Sequence, residues 1–189
     1  MTQINDFARL QLRPAIVLSS VRAALRETIT WRKLGGHTPT KATFKNIAVA
    51  SLPRTLHTEE MATPERIRVN LAIQEAAGVF YDSTLGHRLM CMPTQNIEIS
   101  GGLAPSDCLV IDLHRRAHRI ALTMSPSVLE ASALATRIAN EPKSVLDTGV
   151  LLLTVHILSL TTGKRMVFSR ERRACQRCNG TSLPKRRVA

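Results

Sequence analysis

Val150-Leu-Leu-Leu-Thr-Val-His-Ile-Leu-Ser-Leu160, then Thr161-Thr-Gly-Lys164, then Arg165 to Arg173, is the stretch on which the reading of the fold turns. Its first part is apolar on both faces, as expected of a strand inside a sheet rather than at its rim. Thr161-Thr-Gly163 reads as a tight turn, and Arg165 onward as a returning strand. A basic tail with Cys175-Gln-Arg-Cys178 follows. A closing hairpin with a buried first strand therefore anchors the expected core.

Upstream of it, Cys108–Leu113 and Arg119–Met124 read as a second hairpin around Arg115-Arg116, with Ile120, Leu122 and Met124 on one face. Three short strands are expected before it, at 79–81, 88–92 and 96–100. Ser125-Pro126 caps a helix running to about residue 139. Thr63-Pro64-Glu65 opens another, which Gly78 would stop. Ile16, Val17, Val21, Ala24 and Leu25 form the stripe of a helix over 15–29, with a separate short helix over 3–12 ahead of Pro14. Residues 33–58, with Gly35-Gly36, Pro39 and Pro53, read as an extended linker with one strand at 46–50. The expected class is α+β: an antiparallel β-rich body, sheet or sandwich, with two or three helices and basic terminal arms. The expected divisions are a basic helical arm and linker at 1–58, a core at 59–169, and a basic tail at 170–189.

The 189 residues carry a formal charge of +12, unevenly spread. Residues 1–58 hold nine Lys/Arg against two acids, 59–163 hold eight against eleven, and 164–189 hold nine against one. Two cationic ends around a mildly acidic body read as electrostatic contact surfaces, and nucleic acid is the commonest partner for such surfaces. The main phosphate contacts are expected at Lys164, Arg165, Arg170, Arg172, Arg173, Arg177, Lys185, Arg186 and Arg187. Phe80, Tyr81 and Phe168 are too few on strands to form a stacking platform, so binding is expected to follow the backbone. No helix-turn-helix pattern is visible, which favours RNA.

Arg172-Arg173 and Lys185-Arg186-Arg187, eleven residues apart, also match a bipartite nuclear import signal, with an import receptor as partner. Met1-Thr-Gln-Ile-Asn-Asp6 has neither a basic nor an apolar leader region, so no secretory signal is expected, and no apolar run reaches the roughly 20 residues of a membrane span. The thiols are therefore expected reduced, in a cytoplasmic or nuclear setting. Arginine-rich residues 7–33 keep a mitochondrial reading open.

Cys175-x-x-Cys178 is half of a zinc site, because that spacing brings two thiolates to one tetrahedral point. Its remaining ligands would come from Cys91, Cys108, His114 or His118. Catalytic patterns are sparse: there is no phosphate loop, no H-E-x-x-H and no nucleophile elbow. Asp107, Asp112 and Glu98 on neighbouring strands, with Lys164 or Arg165, leave a metal-dependent nuclease as a lesser alternative. The leading expectation is a non-enzymatic RNA-binding protein. The second is a structural or assembly protein of an RNA virus, of matrix, capsid-associated or movement type, which would form homo-oligomers.

Overall fold

The computed structural model describes residues 3–52, 62–101, 104–142, 150 and 152–171. Helices α1 (Gln3–Lys33), α2 (Lys41–Ala50), α3 (Thr63–Asp82) and α4 (Thr84–Cys91) come first. They are followed by strands β1 (Ile97–Ile99), β2 (Cys108–Ile111) and β3 (Ala117–Thr123), helix α5 (Val128–Ala139), and strands β4 (Leu152–Ser159) and β5 (Arg165–Glu171). The class is α+β, but helix outweighs strand. Among the described residues no helix is long and apolar enough to cross a membrane.

The sheet order is β1-β2-β3-β4-β5. β1, β2 and β3 form an antiparallel meander, and β4 and β5 a hairpin. β3 and β4 are parallel, so the sheet is mixed rather than antiparallel throughout. That parallel pair needs a crossover, and α5 supplies it. β4 is internal, as its two apolar faces require. Leu153, Val155 and Ile157 pack with Ala131, Ala135 and Ile138 of α5, whose alanines let the helix approach closely. Leu158 and Leu160 meet the cluster built by α1 to α4. The sheet is thus sandwiched between four helices and one.

Several expected elements change character. α1 is one helix that passes through Pro14. Proline removes one hydrogen bond there, and burial of Ile16, Val17, Val21, Ala24, Leu25 and Ile29 on the body outweighs that loss. The expected linker holds α2, capped by Thr40, whose hydroxyl accepts from Thr43 N–H at 3.2 Å. Phe44 and Ala48, four apart, are fully buried, and Phe44 stacks on Phe80 at 5.4 Å. Residues 16–52 are therefore part of the packed body.

The strands expected at 79–81 and 88–92 are helical. α3 continues through Gly78 to Asp82, and Ser83 caps α4 by accepting from Gly86 N–H at 2.9 Å. A Cβ at Gly86 would lie 2.0 Å from Phe80 O, so only glycine permits this tight join. Val79-Phe80-Tyr81 is too short for its period to separate strand from helix. The cap of α5 is Ser127 rather than Ser125, in a reciprocal box with Glu130. Arg119 is 5% exposed under α5, and it pairs with Glu141 and donates to Pro142 O at 2.7 Å. Glu141 also accepts from the N–H and hydroxyl of Ser106, tying the end of the crossover to the sheet.

Candidate nucleic-acid interface

The strand directions sort the loops into two ends. β2 and β5 finish, and β1, β3 and β4 begin, at one end of the sheet. The β2–β3 turn lies there, carrying Leu113, His114, Arg115 and Arg116, all exposed. β5 ends there too, at Glu171 opposite Leu152, so the chain continues into Arg172-Arg173 from this end. Two strand spacings, roughly 10 Å, separate β3 from β5. α4 adds His87 and Arg88, both exposed. With Cys91, Asn96, Asp112 and His114 they line a cleft of about 470 Å³ between α4 and the turn. The guanidinium groups of Arg88, Arg115 and Arg116 meet no acid among the described residues.

Asp112 holds this turn together. Its Oδ1 accepts from His114 N–H and Arg116 N–H, both at 2.9 Å, and its Oδ2 lies 3.1 Å from His118 Nε2. These contacts suit an Asx-type turn, with Arg115 in the left-handed region at φ 57. Burial alone would raise the Asp112 carboxyl. The donors of Arg116, His118 and His114 outweigh it and hold the carboxyl below its usual range.

Beneath the turn a hydrogen-bonded chain runs across three strands. His118 Nδ1 lies 3.0 Å from His156 Nε2, and the two rings stack at 5.2 Å. Tautomers follow from charge. Ionised Asp112 requires the proton on His118 Nε2, so neutral His118 accepts at Nδ1 from His156 Nε2–H. His156 Nδ1 is left as a bare lone pair, and it is buried without a partner. Burial, then the charges of His118, Arg165 and Arg88, push His156 down to about 4. The chain therefore ties the middle of β4, through His118 of β3, to the turn.

The sequence-derived contacts divide between the ends. Arg170 belongs to β5 near the basic turn, whereas Lys164 and Arg165 are exposed at the opposite end. Arg172, Arg173, Arg177, Lys185, Arg186, Arg187, Cys175 and Cys178 lie outside the described residues. Cys91 and His114 share the cleft wall, with Cys91 Sγ 3.9 Å from the His87 ring nitrogens. Cys108 is fully buried at the other end of β2, where desolvation and then Asp107 push its thiol up, so it does not join Cys91. His118 is engaged by Asp112 and His156. Among the described residues no three His, Cys, Asp or Glu side chains converge as a metal site.

The carboxylates considered for a nuclease are also dispersed. Asp107 and Asp112 stand at opposite ends of β2, and Glu98, paired with Leu109, lines a different cleft with Arg119 and Glu141. Arg88, Arg115 and Arg116 were not singled out by the sequence. The arginine pair reads as an ordinary turn, and only the strand order brings the end of β5 to the same end of the sheet. No protein-family model matches the chain, and no curated protein or solved structure is significantly similar to it.

Proposed function

We propose that the protein binds RNA through its phosphate backbone, without catalysis, using the C-terminal arm together with the end of the sheet from which that arm departs. One observation carries this reading. Three guanidinium groups without acidic partners among the described residues, two on the β2–β3 turn and one on α4, stand at the end of the sheet where a segment with six Lys/Arg and no acid begins. Such a surface holds phosphates and releases counterions with little regard to base sequence. The same tail charges also fit recognition by an import receptor.

The test is a salt series on full-length protein and a version ending at Glu171. Each phosphate contact contributes about 0.7 to the slope of log affinity against log salt for single strands, so losing six lowers it by up to about 4. An unchanged slope overturns the reading. The assembly reading has its own support, because β5 ends the sheet and Val167 on it is 47% exposed. Concentration-dependent oligomers in gel filtration without RNA would favour it. Zinc at Cys175 and Cys178 remains a proposal that predicts about one zinc per chain in protein purified under reducing conditions. Metal analysis finding none removes it.

A further inference from the structure

We infer that the cleft between the last turns of α1 and the start of α2 receives one unpaired base of a bound RNA strand, stacked on Trp31. This rests on the RNA reading above. The cleft measures about 690 Å³, within the range of small-molecule sites. Trp31 is 59% exposed, and Leu34 beside it 81%. An exposed indole normally folds down onto neighbouring apolar surface. Here the turn after α1 fixes it. Gly36 N–H donates to Trp31 O at 3.0 Å, and a Cβ on Gly36 would stand 2.0 Å from Trp31 Nε1. Backbone therefore covers one face of the indole over its pyrrole ring and leaves the other face for a base, while more than half of the residue stays open to solvent. A rigid aromatic surface of this kind loses little entropy on stacking.

The walls select the chemistry of the occupant. Thr30, Thr40 and Thr43 line the cleft with hydroxyls, those of Thr40 and Thr43 bonded to each other at 2.9 Å, while Arg26 and His37 add nitrogen groups and Glu27 one carboxylate. A continuous aliphatic wall would suit an apolar helix, whereas this mixture suits a flat ring with polar edges. Bases present that combination, and sequence-tolerant binders of single strands stack them on aromatic side chains.

Position links the cleft to the cationic end. Arg22 of α1 donates to Leu122 O at 2.9 Å, at the far end of β3. Ten residues on, roughly 15 Å along the helix, Arg32 donates to Leu89 O at 2.9 Å and Met92 O at 2.7 Å. Met92 also lines the cleft that holds His87, Arg88 and His114. α1 therefore crosses the sheet toward the basic end, and Trp31 stands one residue before the contact that clamps it there.

Trp31 is the single tryptophan of the chain, so its fluorescence reports this cleft alone. Full-length protein is titrated with a 12-nucleotide oligoadenylate, with an abasic oligomer of equal length, and with inorganic polyphosphate. Quenching by the oligoadenylate but by neither base-free polyanion is the expected result. Trp31→Leu should weaken oligoadenylate binding roughly tenfold, with an unchanged salt slope, and Trp31→Phe should recover part of the loss. Oligoadenylate that binds in a gel-shift assay without altering the emission overturns the inference and leaves the RNA reading standing. Equal quenching by polyphosphate, or quenching on concentration of the protein alone, overturns it in favour of a conformational change or a second copy. Absence of any binding removes both readings.

Discussion

Each end of β2 carries an aspartate, and the two aspartates are handled differently. At the far end Asp107 is 5% exposed. Its Oδ1 lies 2.8 Å from Arg22 Nε, and its Oδ2 accepts from Leu122 N–H at 2.6 Å. Arg22 returns a bond to Leu122 O, so cation, anion and strand close on one another. At the near end Asp112 is satisfied by backbone N–H groups and a histidine. No arginine is consumed there, and Arg88, Arg115 and Arg116 make no ion pair among the described residues. One end uses its charge to hold α1 on the sheet, and the other leaves its cations without an ion pair among the described residues.

The far end should therefore respond most in stability. Arg22→Met leaves the Asp107 carboxylate buried without its cation, which costs about 3 kcal/mol. For a chain of this size that lowers Tm by roughly 6–12 °C. Burial already raises the Asp107 carboxyl, with Arg22 opposing. Removing Arg22 takes away much of that opposition and leaves only Leu122 N–H and Arg26, so the deficit should shrink as pH falls and the carboxyl takes up a proton. Thermal melts at several pH values check both points. A deficit that persists unchanged at low pH would show that packing, not charge, joins α1 to β2 and β3.

The histidine chain at the near end gives a smaller effect of definite sign. His156 titrates near 4 in the folded protein and near 6.5 when unfolded. Between those values the unfolded chain binds a proton that the folded one refuses, so stability falls as pH is lowered from about 6.5 to about 4. A displacement of that size corresponds to about 3 kcal/mol, and screening at a partly solvated ring reduces it to about 2. Asp112, held below its usual range, loses its contribution only at still lower pH. Denaturant titrations of the protein and of His156→Leu should diverge across this window, with the variant flatter. Parallel curves would mean that the ring admits its proton without opening the chain.

What was legible in the sequence follows the same division. The closing hairpin, the 108–124 hairpin and the stripe on α1 could be read because each carries a complete local signal: two apolar faces, alternation, or spacing by three and four. α2 and α4 could not. Their apolar residues are few, and Phe44 and Leu85 become core only because α3 lies beside them. The parallel pairing of β3 with β4 was hidden as well, since a capped helix between two strands is equally consistent with separate hairpins. That pairing sets His156 beside His118 and Asp112 and turns the end of β5 toward the β2–β3 turn's end of the sheet. The site therefore depended on the one feature of the topology that local patterns do not encode. The exposed setting of Trp31 was missed for a related reason, because it comes from Gly36 across a turn and not from a strand.

The last comparison replaces the open cations themselves. Arg88, Arg115 and Arg116 changed together to Gln remove three charges that make no ion pair among the described residues. Each substitution should alter stability by less than about 0.5 kcal/mol, so the melt should barely move. RNA binding should weaken irrespective of sequence, with the salt slope falling by about 2 for single strands. The stability of this variant and that of Arg22→Met thus report the two ends separately. A Tm loss in the triple variant comparable to that of Arg22→Met would place these arginines in the architecture. An unchanged salt slope would leave the tail as the only phosphate contact, and the end of the sheet would be its anchor rather than part of the surface.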